Sequence, residues 1–130
     1  MENPAACTTE TQPKFTCLHH VSLPCRDLAE STRFYIDVLG GELYHDTAGF
    51  AEVMLSGMIV GLSEQSDGWT GWDAEYPHYG FNVEPADFAL AQPWLADCCV
   101  PTHAWTRDYK TALLYFRDPS GNGWKMIEAG

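Results

Sequence analysis

The feature that most constrains this chain is an order of elements that occurs twice. Hydrophobic periodicity reads residues 15–25 (FTCLHHVSLPC) as a strand and 27–39 (DLAESTRFYIDVL) as a helix, with GELYHD, FAEVMLS and MIVGLSE as three short strands after it. Asp27 followed by Glu30 is a capping-box pattern, and Gly40-Gly41 supplies the stop. Leu28, Ser31, Tyr35, Val38 and Leu39 fall on one stripe, the face a helix lays on a sheet. Turn signals at Thr47-Ala48-Gly49 and Ser56-Gly57 separate the strands. A polar stretch without a period, QSDGWTGWDAEYP at 65–77, then intervenes. After it the order returns as strand HYGFNV, helix ADFALAQPWLADCC and strands THAWTRD, TALLYFRD and WKMIEAG, with Pro93 marking a start or a kink in the helix. The expected fold is α+β: two βαβββ modules, about 15–64 and 76–130, joined by the loop 65–77 into a single domain over 15–130, after a disordered lead-in at 1–14.

Composition narrows the classes of function. A chain of 130 residues, 45% hydrophobic, is long enough for one core and too short for two enzymatic domains. A net charge of -11 argues against nucleic acid and anionic membranes as partners, because both require a basic face. The first fourteen residues carry neither a basic n-region nor an apolar run fit for a signal or a membrane helix, so a cytoplasmic protein is expected. Five cysteines (Cys7, Cys17, Cys25, Cys98, Cys99) without CxxC spacing weigh against a disulfide framework or a zinc ribbon. Cys98 and Cys99, at the end of an apolar helical pattern, read as small core residues rather than reactive thiols.

Strand alternation sorts the polar residues by face. In the first strand Val21 and Leu23 point toward the helix, and Leu18, His20 and Ser22 point away. In the fifth, Tyr79, Phe81 and Val83 face the helix, and His78, Gly80 and Asn82 face away. Each half therefore sets one histidine, with a small or polar residue two positions on, on a helix-free face. In the last strand Lys125 and Ile127 share one face, and Trp124, Met126 and Glu128 the other. Alternation alone does not say which of those sets joins the histidines.

The stretch LHHVSLPCRDLAESTRFYIDVLGGEL resembles the opening unit of the vicinal oxygen chelate superfamily, which holds glyoxalase I, fosfomycin- and bleomycin-resistance proteins and extradiol dioxygenases. The closing YFRDPSGNGWKMIE is similar to that family's terminal turn, through Tyr115, Phe116, Asp118, Pro119, Gly121 and Asn122. With HYGFNV the resemblance spans nearly all of 15–130. It implies a glyoxalase/dioxygenase-like fold, a curved mixed sheet around a cup that holds a divalent metal such as Fe2+, Mn2+, Ni2+ or Zn2+. By position it places metal ligands at His20 and His78. It puts the third ligand, commonly Glu, three residues after Asn122, which here is Lys125. It also implies a homodimer in which each cup takes His20 from one subunit and His78 with residue 125 from the other.

A protonated lysine offers no lone pair and adds positive charge where a metal would sit. Three readings follow. The cup keeps a metal, completed by Glu128 through a bulge or by Glu52 or Asp46, and the protein is a lyase, isomerase or dioxygenase acting on vicinal oxygens. Or the cup is metal-free and catalytic, with Lys125 beside His20 and His78 as an electrostatic clamp, a base or a Schiff-base amine, and Tyr115 as a further catalytic candidate. Or it only binds a small molecule, as bleomycin-resistance proteins do. Ser22, Asn82, Trp69, Trp72 and Trp105 are candidate ligand contacts, and the aromatic wall suits a planar or aromatic molecule. His19, His45 and His103 read as structural hydrogen-bonding residues, and Lys125 has an equally plain reading as a side chain snorkelling to solvent.

Overall fold

In the computed structural model, which describes residues 13–14, 17–65, 78–107 and 111–129, both halves build the same four-stranded mixed sheet. The first half runs β1 (His20–Cys25), α1 (Leu28–Arg33) with a π-helical turn (Phe34–Val38) behind it, β2 (Glu42–Thr47), β3 (Phe50–Leu55) and β4 (Met58–Glu64). The second runs β5 (His78–Val83), α2 (Pro85–Asp97), β6 (Thr102–Arg107), β7 (Thr111–Arg117) and β8 (Gly123–Glu128). The sheet orders are β1-β4-β3-β2 and β5-β8-β7-β6, each with one parallel pair made across a helix and two antiparallel pairs made by hairpins. The fold is the expected α+β pair of βαβββ modules. The segments 1–12 and 66–77, which hold most of the expected lead-in and loop, lie outside the described residues.

Local chemistry sets the ends of these elements. The Asp27 side chain accepts from the Glu30 amide at 3.0 Å, capping α1. The expected single helix over 27–39 instead widens into the π-turn, where Phe34 and Tyr35 are both buried. Gly40 stops it at φ +79°, and Gly41 passes so close to β3 that a Cβ there would stand 2.5 Å from Val53 Cγ1. Pro93 does not begin the second helix. That helix starts at Pro85, where a proline's missing N–H is harmless, and Pro93 sits inside it.

One expectation is corrected at the end of α2. Cys99 is exposed with φ +61°, its amide donating to Ala96 O and the Val100 amide to Leu95 O, the pattern of a Schellman turn. Such a turn projects its left-handed residue outward, so Cys99 is not a core residue and Cys98 is half-buried. Among the described cysteines the fully buried thiol is Cys25.

The helix-facing sides of both sheets meet in one core. Leu23, Cys25, Tyr35, Val53, Val60 and Leu62 from the first half join Leu95, Leu114, Phe116 and Trp124 from the second. Within it lies a buried polar junction. Asp118 accepts from Tyr35 Oη (2.7 Å), from the Ser120 and Asn122 amides (2.9 and 2.8 Å) and from Asn122 Nδ2 (2.8 Å). Trp124 Nε1 donates to the Tyr35 hydroxyl at 3.0 Å, Asn122 Nδ2 also donates to Pro24 O, and the Arg26 amide donates to Ser120 Oγ. The Asp-Pro-x-Gly-Asn turn thus bolts the end of the chain onto β1 and α1, with every buried polar side-chain atom satisfied among the described residues. Burial and the Asp118 charge push the Tyr35 phenol well above its ordinary value, and burial first, then Glu64, push the Cys25 thiol up to about 11. No helix of the described residues is long and apolar enough to cross a membrane.

Candidate functional site: the open face of the second sheet

Packing one side of each sheet into the core leaves the other side without a helix among the described residues, and backbone register lines up the residues on it. In the second sheet one row crosses all four strands: Gly80 on β5 is opposite Lys125 on β8, Lys125 opposite Tyr115 on β7, and Tyr115 opposite His103 on β6. The next row toward the C-terminal end of β8 is Asn82, Ile127, Leu113 and Trp105. The pairing is continuous through β8, without a bulge, so Lys125 stands on the Gly80 and Asn82 face. Glu128, opposite Val83, stands with Trp124 and Met126 on the other side. A bulge that would carry Glu128 round to the open face is not present.

Gly80 shapes the seat of the lysine. A Cβ at position 80 would stand 3.3 Å from both Cγ and Cε of Lys125, so the absence of a side chain there lets the aliphatic stem lie across β5. The Lys125 ammonium is 6.0 Å from the centre of the Tyr115 ring, at the outer reach of a cation–π contact. Lys125 and Tyr115 are half-buried; Asn82, His103 and Trp105 are exposed. Among the described residues Lys125 makes no ion pair with a carboxylate. No described residue on this face is acidic, whereas Arg117 stands two residues from Tyr115 on the same side.

The first sheet offers a different open face. Its rows are His20, Ile59, Met54 and Glu42, then Ser22, Gly61, Glu52 and His45. Gly61 is buried, with Ser22 Oγ and Phe50 Cε1 within 3.6 Å of where its Cβ would be. His20 is exposed, and its Nδ1 is 2.9 Å from Nδ1 of His19. One of the two nitrogens is therefore the donor, and Nε2 of each ring is left outside this bond. Asp46, paired with Ala51, is on the opposite side from Glu52.

Lys125, Tyr115, Asn82 and Trp105 share one face, and His20 and Ser22 share another. β5 carries position 78 opposite Gly123, two residues before Gly80, but the His78 side chain lies outside the described residues, as do Trp69 and Trp72. His103 and Arg117 were not singled out from the sequence as members of this site. Strand parity would have found both, Arg117 counted from Tyr115 on β7 and His103 counted from Trp105 on β6.

Three-ligand metal binding requires a carboxylate or its equivalent beside the imidazoles. On the Gly80 face that place is taken by an ammonium, and among the described residues no group of three His, Cys, Asp or Glu side chains is assembled to hold a metal. Among the described residues, the donors on this face do not fit a resident divalent cation.

The family-wide sequence model of the Glyoxalase/Bleomycin resistance protein/Dioxygenase superfamily matches residues 17–126. The chain belongs to this superfamily. Individual relatives and solved structures show the same likeness. Metallothiol transferase FosB of Staphylococcus saprophyticus is 28% identical over 112 residues, covering 84% of this chain and 74% of the relative. An integron cassette protein from the mobile metagenome of the Halifax Harbour sewage outfall matches with a TM-score of 0.74 and 25% identity, covering 88% of this chain and all of that one. A mutant of the fosfomycin resistance protein FosX from Listeria monocytogenes, crystallised with Mn(II) and 1S,2S-dihydroxypropylphosphonic acid, matches with a TM-score of 0.77 at 15% identity over 90% of this chain and 93% of that one. The last shows shared fold alone.

Proposed function

We propose that this superfamily member binds a small, planar or aromatic molecule in its cup without a three-ligand metal centre. The observation that carries the reading is the row Gly80–Lys125–Tyr115: it brings an ammonium to the His78-bearing strand, while Glu128 stands on the opposite side of β8. A cation at that point repels a divalent metal and offers a charge to a ligand instead. The half-buried Tyr115 and the exposed Trp105 supply stacking surface beside it. Ser22 and Asn82 are the polar contacts assigned to the ligand, one on each open face.

Assembly is part of this reading. His20 and Lys125 lie on open faces of two different sheets, and we assign each complete cup to two copies of the chain, His20 from one and Lys125 with His78 from the other. Sedimentation at micromolar concentration is expected to show a dimer; a monomer would contradict the shared cup.

A second reading has one observation in its favour, the 28% identity to a metallothiol transferase. It makes the protein a metal-dependent enzyme of the lyase, isomerase or dioxygenase kind and needs a carboxylate from elsewhere, with Glu52 on the His20 side as the candidate. Elemental analysis separates the two. Protein dialysed against Mn2+, Fe2+, Ni2+ or Zn2+ is expected to retain well under one equivalent. Stoichiometric metal that disappears in a His20→Ala, His78→Ala double variant would favour the enzyme.

A further inference from the structure

The charge pattern of the second sheet carries the argument one step beyond a metal-free cup, and rests on that reading. The chain has 18 acidic residues against seven Lys and Arg. Yet no described residue on the open face of β5-β8-β7-β6 is acidic, and Lys125 and Arg117 both stand there, on adjacent strands and one row apart. With acids outnumbering bases more than twofold, a lysine on a half-buried strand would be expected to find a carboxylate. Lys125 instead has Gly80 beneath its stem, a phenol ring beside its ammonium and no acid in contact among the described residues. Its partial burial removes water from the charge, which makes an incoming anion worth more here than at an exposed lysine.

We propose that the ligand of this face is a small oxyanion: a carboxylate or phosphonate that meets the Lys125 ammonium, attached to a planar apolar body lying over Tyr115 and Ile127. Gly80 sets where the charge sits, because any side chain there would displace the stem of Lys125. Tyr115 and the exposed Trp105 flank the body of the ligand, and Arg117 adds to the positive potential from the next row. Among the described residues no carboxylate on this face is available to pair with a cationic ligand, and Lys125 and Arg117 repel one.

The test is calorimetric titration of the full-length protein with benzoate and phenylphosphonate, against neutral benzamide and cationic benzylammonium. Benzoate or phenylphosphonate is expected to bind at least about tenfold more tightly than benzamide, the increment of one charge-assisted hydrogen bond, and benzylammonium not at all. The tighter of the two acids identifies the oxyanion. Raising salt from about 20 to about 300 mM should weaken the acid and leave benzamide unchanged, a readout that needs no variant. Lys125→Met, which keeps the stem, should lose the preference, and Lys125→Arg should restore part of it; unchanged thermal melting of both variants shows that the fold is kept. Equal affinity for benzoate and benzamide would overturn the anion preference while leaving the metal-free cup standing. No binding of either acid up to millimolar concentration, or full benzoate affinity in Lys125→Met, would also overturn it. Benzoate binding that appears only with added Mn2+ would overturn the metal-free reading beneath it.

Discussion

Tyr35 and Asp118, 83 residues apart in the chain, meet inside the core with the phenol donating to the carboxylate at 2.7 Å. The contact is the centre of the junction between the two modules. It holds the closing turn against the π-helical turn behind α1 and thereby fixes β8, the strand that carries Lys125. The placement of the candidate site is thus set by a hydrogen bond on the opposite side of the sheet from the site itself.

Tyr35→Phe should destabilise the protein by about 1–3 kcal/mol, because it leaves Trp124 Nε1 without its acceptor and removes one donor from a buried carboxylate. Urea denaturation of the variant against the parent measures this. A loss below about 0.3 kcal/mol would mean that the junction contributes little.

Alkaline pH should weaken the fold in two stages. Both shifted groups bind their protons more tightly when folded, so each contributes stability that is fully present below its unfolded pKa and is lost as pH rises through the folded value. For Cys25 that window runs from 9.0 to about 11; for Tyr35 it opens at 10.0 and extends well beyond. Urea midpoints should therefore be level between pH 7 and 8.5 and fall above pH 9, with Cys25→Ala removing the first part of the fall. A midpoint that rises with alkali would contradict both assignments.

Gly41→Ala should cost about 1–3 kcal/mol by overpacking. The added Cβ would meet Val53 Cγ1 at 2.5 Å and the carbonyl oxygens of Met54 and Tyr35 at 3.0 Å, and Val53 is fully buried with nowhere to move. Gly40→Ala meets nothing within 4 Å but has to adopt φ +79°, so its cost is one of backbone conformation alone. Thermal melting of the two variants, side by side, separates crowding from backbone strain.

Much of the fold was legible because its elements are locally coded. Alternation alone sorted Val21 and Leu23 from His20 and Ser22, and Tyr79 and Phe81 from Gly80 and Asn82. The glycines of the helix stop and hairpins marked the connections. The offset of β8 against β5 was not locally coded. Lys125 opposite Gly80 is a fact of pairing between strands more than forty residues apart, and family resemblance supplied it where alternation stopped. Nothing near Asp118 in the chain announces Tyr35 as its partner; the turn pattern reads as a turn, whether or not it is buried. The outward turn of Cys99 was missed because an apolar helical run says where a helix packs and not how its last residue is twisted.

The central claim is that position 125 decides what the cup accepts, and calorimetry of divalent metal binding to Lys125→Glu measures it most directly. With carboxylate in place of ammonium, the account predicts Mn2+ binding at micromolar affinity or better in the variant and none measurable in the parent, with the gain lost again when His20 is changed to Ala. Equal metal affinity in parent and variant would contradict it, and would mean that residue 125 does not face His20 and His78 across the cup.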